Sequence, residues 1–313
     1  MFHFLAKLES ESVLRISGED KNKYLHGQIT VNTENWINNT ARLAAHCDFK
    51  GKMWSSFYLS DYHDEFLVTG HDTSNEASLR ELKKYGVFSK VTIEKAEDLS
   101  IFGAAGDDAE SILKEMFDNL PEQHLNTITS DYGLLIRLDY PQVDTNKAVY
   151  KCILNLAGQR ILEDKGSKLI GNETLYNYAE VLACVGNIQQ ATVGEYVPQM
   201  FNLQLLRAID FDKGCYMGQE VVARTKFLGK NKRALFLLKS SDVISDLTVG
   251  ALLEKQIGEN WRRGGQIIRI ATNEENSLAL AVLPNDTHYG DMLRLKDSEY
   301  TFTVLAHPYP FTQ

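Results

Sequence analysis

Between residues 72 and 170 the apolar pattern keeps changing its period, and that change limits the folds open to the chain. Residues 75–85 read as a helix with Leu79 and Leu82 on one face, and residues 87–93 as a strand. Residues 99–103 form a second strand, 107–117 a helix with Ile112, Leu113 and Met116 apolar, and 132–138 a third strand. Residues 149–156 then run as a strand into a helix near 158–165. These strands are short and half-polar. That pattern suits a mainly antiparallel sheet with helices on one face, not a doubly wound parallel sheet.

Either side of this block the same logic applies. Residues 12–16 alternate as a strand, followed by Ser17-Gly18-Glu19-Asp20 as turn and cap and a helix around Tyr24 and Leu25. Residues 43–48 and 53–59 read as two strands joined by a turn at Phe49-Lys50-Gly51-Lys52, with residues 65–69 as another. Residues 173–185 form a helix with Leu175, Val181 and Leu182 apolar. Beyond Arg233 come short strands spaced by turns, the pattern of a small β-barrel. A chain of 313 residues exceeds a comfortable single core, so two or three domains are expected. The fold class is therefore α+β.

The charge balance and the cysteines narrow the function. A net charge of -9 argues against a surface built for nonspecific nucleic-acid binding. Against that background, Arg224, Lys226, Lys230, Lys232 and Arg233 form a local basic run. It suits an anionic ligand or a phosphate backbone, or it is a solvated face. Cys47, Cys152, Cys184 and Cys215 are dispersed, with no C-x-x-C pair, so a reducing cytoplasm is the expected setting. No signal-peptide layout and no apolar run of membrane-spanning length is read, so no membrane partner is expected. His46 beside Cys47 could be a catalytic pair, but neighbours on a strand point to opposite faces.

One stretch concentrates the chemistry: Lys213-Gly214-Cys215-Tyr216-Met217-Gly218-Gln219-Glu220. Its glycines allow tight turning and close approach. Residues 221–226 read as the opening of a helix, with Asp210 and Asp212 upstream as capping carboxylates. A cysteine near a helix start, with Lys213 beside it, is placed to favour thiolate over thiol. The other reading is a small buried hydrophobe.

This stretch resembles the K-G-C-Y-x-G-Q-E signature of the YgfZ family, folate-binding proteins linked to tRNA modification and iron–sulfur cluster assembly or repair. The resemblance extends to residues 194–203, 222–233, 16–30, 44–54, 81–91 and 258–265. The family is related to the T-protein of glycine cleavage, an aminomethyltransferase that uses tetrahydrofolate. The resemblance implies three domains in a T-protein-like ring of antiparallel sheets with helices, closed by the small C-terminal β-barrel. It implies a discontinuous folate-binding domain over 1–50 and 171–233, a ferredoxin-like α+β domain over 51–170, and the barrel over 234–313.

It also implies tetrahydrofolate, or another folate, as cofactor. Cys215 would be the reactive residue, and Lys213, Tyr216, Gln219, Glu220, Arg224 and Lys226 would lie along the folate. Where family members carry tryptophans near the ligand, this chain offers Tyr176 and Tyr178, and Glu11-Ser12-Val13 before the first strand. Implied partners are iron–sulfur enzymes such as those that thiomethylate tRNA, with direct tRNA contact through the basic run. The T-protein relatives carry a catalytic aspartate where this chain has Trp54-Ser55, which points to folate binding without aminomethyl transfer. The competing reading is a folate-dependent aminomethyl- or methyltransferase, for which Asp48 is the nearest carboxylate.

Overall fold

The computed structural model describes residues 3–140, 148–227, 229 and 231–311. Three β-sheets organise it. The first has five strands in the order Ala41–Cys47, Met53–Tyr62, Glu65–His71, Glu11–Ser17 and Thr92–Lys95, all antiparallel. The helix Asp72–Gly86 covers one of its faces. In the second sheet six strands follow the order Ile170–Gly171, Phe4–Lys7, Leu99–Ala105, Ala148–Asn155, Gly133–Asp139 and Thr127–Ser130. Helices Asp107–Phe117 and Leu156–Lys165 pack on it. The third sheet is a closed six-stranded barrel running from Arg233–Ser240 to Thr301–Leu305. An α+β fold with antiparallel sheets and a C-terminal barrel is thus what the chain adopts.

The strand alternation explains how these units join. Along Met53–Tyr62, Phe57 and Leu59 face the helix-covered side, while Tyr58 enters a core shared with the other units; Met53 joins that core from beyond the register shift opposite His46 and Cys47. The second sheet divides in the same way. Cys152 and Leu154 meet its helices, and Val149 and Ile153 enter the shared core. The barrel adds Leu235, Leu237, Leu280 and Val282 from its outer wall, and fills its interior with Phe236, Leu238 and Phe302. The first two sheets are therefore buried on both faces, once by their own helices and once by their neighbours.

Two expected boundaries do not match the sheets. A division after residue 50 runs through the paired strands Ala41–Cys47 and Met53–Tyr62. A division after residue 170 splits Ile170–Gly171, which pairs with Leu5 and Ala6. The first sheet instead uses residues 11–95, and the second takes 4–7 together with 99–171. The reason is the chain's first strand, which crosses over to the second sheet. Residues 87–91 also depart from expectation. They form a turn, with Val87 and Phe88 exposed, and the strand begins only at Thr92.

Candidate functional site

The stretch from Lys213 to Gly218 has no regular structure and precedes the helix Gln219–Phe227. Lys213 is buried. Its Nζ donates to the carbonyl oxygens of His26, Ile29 and Val31 at 2.6, 2.7 and 2.8 Å, and lies 4.8 Å from the centre of the Tyr216 ring. Burial pushes its ammonium down to about 7. The Met217 amide donates to Gly27 O at 3.1 Å. Gly218 has a φ of +80°, and a Cβ there would lie 2.5 Å from Asp48 O. Only glycine meets both demands. The motif is thus a two-sided clamp that ties the turn at 26–31 to the hairpin turn at 48–51.

Between these fixed points Cys215 is exposed, while Cys47, Cys152 and Cys184 are buried. The two causes expected to favour a thiolate are placed differently. The Lys213 ammonium is engaged by three carbonyls, and the helix begins four residues downstream of the sulfur. What distinguishes Cys215 is access. Iodoacetamide is expected to modify this thiol alone in the folded protein, with the other three reacting only after unfolding; peptide mass spectrometry reads the result. Native modification of two or more cysteines would contradict the burial pattern. Cys47 and His46 do face opposite ways. His46 Nδ1 pairs with Ser78 Oγ at 2.7 Å on the covering helix, and Cys47 enters the shared core. Burial pushes His46 down to about 3.

The expected folate residues scatter. Tyr176 is fully buried and donates to Glu180 Oε1 at 2.8 Å, so its ring is core and not a stacking platform. Tyr178 donates to Asn276 Oδ1 at 3.0 Å, joining the helix Thr174–Leu182 to the barrel. Tyr216 is buried beneath Lys213, and burial raises its hydroxyl above the ordinary tyrosine value. Gln219 is half-buried. Glu220 and Arg224 form a surface pair one helical turn apart at 3.4 Å. Lys226 stands 3.8 Å from the centre of the Phe211 ring.

A cavity of about 640 Å³ opens where both sheets, the segment after Leu182 and the C-terminal tail meet. None of those expected residues lines it. Its apolar wall includes Leu43, Tyr58, Tyr140, Leu206 and Tyr309. Trp36 stands in the wall too, held by its Nε1 donating to Asp61 Oδ1 at 2.9 Å and by an edge-to-face contact with Phe66. At the rim Arg42 makes a bidentate pair with Asp210 at 2.6 and 2.8 Å, and donates to Arg207 O at 2.9 Å. Burial works to raise the Asp210 carboxyl, but the Arg42 bonds and the Asn32 amide hold it below the usual range. Arg207 also lines the cavity and is exposed.

Sequence reasoning missed Trp36, Arg42 and Arg207. The family pattern places tryptophans before the first strand and on the helix after residue 173. Trp36 instead sits in the Asn-rich loop between Val31 and Ala41, a large aromatic in a polar setting, which is the signal that could have drawn attention to it.

Beneath the cavity lies a buried polar network. The hydroxyls of Tyr58 and Tyr140 lie 3.0 Å apart, and each reaches Glu180 Oε1, at 3.4 and 3.3 Å. Glu180 Oε2 pairs with Arg269 at 2.5 Å, and Arg269 donates to Asn177 Oδ1 and Val185 O. A second buried pair, Lys151 with Glu11 at 2.6 Å, places its ammonium 4.8 Å from the centre of the Tyr58 ring. These residues come from both sheets, the helix Thr174–Leu182 and the barrel. Burial works to raise Glu180, but Arg269 and Lys151 outweigh it, and the carboxyl titrates below its ordinary value.

Two antiparallel sheets that share a core with a closed C-terminal barrel define the class of fold. The glycine cleavage system aminomethyltransferase T from Bartonella henselae has this architecture, with a TM-score of 0.74 over 98% of this chain and 86% of that one. At 12% identity the likeness shows the fold. Residues 231–298 match the family described as YgfZ, beta-barrel domain. The tRNA-modifying protein YgfZ of Colwellia psychrerythraea strain 34H is 35% identical over 305 residues, spanning 97% of this chain and 91% of that relative. The chain belongs to the YgfZ family. Among the described residues no helix is long and apolar enough to cross a membrane.

Proposed function

We propose that the protein binds tetrahydrofolate, or another folate, in the central cavity. In this role it supports the assembly or repair of iron–sulfur clusters. Through iron–sulfur enzymes such as those that thiomethylate tRNA, it supports tRNA modification. The cavity carries the reading. Its volume falls within the range of small-molecule sites, and it is mainly apolar with a few polar groups at its edge. Trp36 and Tyr309 offer partly exposed aromatic surface to a pterin and its benzoyl ring, and Arg207 offers a guanidinium to the glutamate carboxylate. Bound there, the folate would supply a one-carbon carrier.

Cys215 acts outside that cavity, at the surface, where a partner's electrophile, persulfide or iron can reach it. Asp48, the carboxylate the sequence offers for a transferase, accepts the amides of Lys50 and Lys52 at 2.8 Å and is not among the cavity residues. That placement favours binding over aminomethyl transfer.

Calorimetric titration with tetrahydrofolate should give one saturable site, with quenching of Trp36 fluorescence. Leu206→Trp, which fills the cavity, should weaken binding about tenfold or more. Absence of heat with the native protein sinks the reading. Cys215→Ser should bind tetrahydrofolate as before, yet fail to restore thiomethylated nucleosides in the tRNA of cells lacking the protein. Full restoration would remove the thiol from the function.

A further inference from the structure

We infer that His26 is the base that takes the proton from the Cys215 thiol. The inference rests on the proposed role of that thiol and adds the group that activates it. The loop from Lys213 to Met217 arches over His26 and Gly27. Its two ends are tied to successive carbonyls there, Lys213 Nζ to His26 O at 2.6 Å and the Met217 amide to Gly27 O at 3.1 Å. Cys215 stands midway between these ties. The imidazole lies directly against the loop, since a Cβ on Gly214 would be 2.9 Å from His26 Nε2. Gly214, unlike Gly218, does not adopt a positive φ, so its lack of a side chain serves the ring and not the backbone.

The hydrogen bonds around the ring assign its proton. Asn32 Oδ1 accepts the backbone amides of Glu34 and Asn35 at 3.0 and 3.2 Å, so this atom is the carbonyl oxygen. It lies 3.1 Å from His26 Nδ1, which is therefore the donor. In the neutral ring the lone pair is then on Nε2, the nitrogen that meets Gly214. Nε2 makes no hydrogen bond among the described residues, although His26 is only 9% exposed. The base is thus oriented from behind by a fixed carbonyl. Asn32 is itself held by its amide, which donates to Asp210 Oδ2 at 2.7 Å.

The transfer needs no further reagent. The S–H bond breaks, its electron pair stays on sulfur, and the proton forms an N–H bond at Nε2. The exposed Cys215 side chain approaches the ring by rotation about its Cα–Cβ bond. Thiolate and imidazolium then stabilise each other. Of the charges that face the ring, Glu34 Oε2 favours the imidazolium from 3.7 Å off Nδ1. Lys213, at the His26 carbonyl, and Lys23, on the same helix Lys21–His26, oppose it. Asp210 is already matched by Arg42, and burial keeps the Tyr216 hydroxyl neutral.

The test follows the rate of Cys215 alkylation by iodoacetamide on the full-length protein between about pH 5.5 and 9. An unassisted thiol slows about tenfold for each unit of pH below its titration. Native protein should slow less steeply. His26→Gln, which keeps a polar side chain but no base, should react about tenfold more slowly than native near pH 6 and approach it near pH 9. Gly214→Ala, whose Cβ displaces the ring without changing its chemistry, should do the same. A purely structural role for His26 would not move the shape of this profile. A native profile in His26→Gln overturns the inference; should that variant not fold, a native profile in Gly214→Ala does so. Nitrogen-15 spectra of the native ring need no substitution. They should show the Nδ1–H tautomer, and capping Cys215 with iodoacetamide should lower the pH at which the imidazolium loses its proton. An Nε2–H tautomer, or a titration unmoved by capping, also overturns the inference. Restoration of tRNA modification by Cys215→Ser would instead count against the role of the thiol, and would leave these profiles, read on the isolated protein, as they are.

Discussion

Replacing Arg269 by Met is expected to lower the free energy of unfolding by about 3–5 kcal/mol, because Glu180 is then left as a buried charge without its partner. Both groups are almost wholly removed from water. The companion experiment is the double variant Arg269→Met/Glu180→Gln, which removes both charges and should recover much of that loss. Urea denaturation of the three proteins measures the difference. The pH dependence has a defined sign. Glu180 titrates lower in the folded protein than its ordinary 4.5. Its contribution is therefore complete above that value and is lost as pH falls through the folded one. Native protein should lose stability on acidification more steeply than the double variant. Equal stability of Arg269→Met and native protein would show that the pair does not hold the units together.

Lys213→Met is expected to cost about 3 kcal/mol or more, since three buried carbonyl oxygens lose the N–H donor they share. Burial lowers this ammonium from 10.5 to about 7, while the three carbonyls favour keeping the proton. A group depressed on folding contributes stability that is full above 10.5 and is lost as pH falls through about 7. Across that window native stability should rise with pH, by at most about 1.4 kcal/mol per unit for one proton. In Lys213→Met that component should vanish. An identical slope in both proteins would assign the dependence to other groups. The variant should also loosen the turn at 26–31, and so raise the amide exchange of Ile29 and Val31.

The fold was legible because it rests on periodicity. Leu14 and Ile16, Phe57 and Leu59, and Cys152 and Leu154 each recur at spacing two, and the structure buries each pair beneath helices. The K-G-C-Y-x-G-Q-E stretch was legible as a motif. Its physical role was not, because Lys213 and Gly218 act on residues about 170 to 187 positions earlier, and such partners leave no local mark. The cavity was illegible for the same reason. Trp36, Tyr140 and Arg207 stand on three segments that only the folded chain brings together. Tyr176 misled because burial of a tyrosine depends on its helix's orientation. Gly103 gives it the room, since a Cβ there would lie 2.4 Å from the Tyr176 ring.

The crossing of the first strand has a further consequence for synthesis. Phe4–Lys7 lies between Leu99–Ala105 and Ile170–Gly171, whereas the sheet built from 11–95 needs no residue beyond 95. On the ribosome, that sheet can form while the leading segment still lacks its neighbours. The amino-terminal ribbon must wait for Leu99–Ala105, about a third of the way along, and gains its second neighbour, Ile170–Gly171, only after more than half of the polypeptide has emerged. A fusion or tag placed directly before His3 would then interfere with a late closure step rather than with the initial collapse.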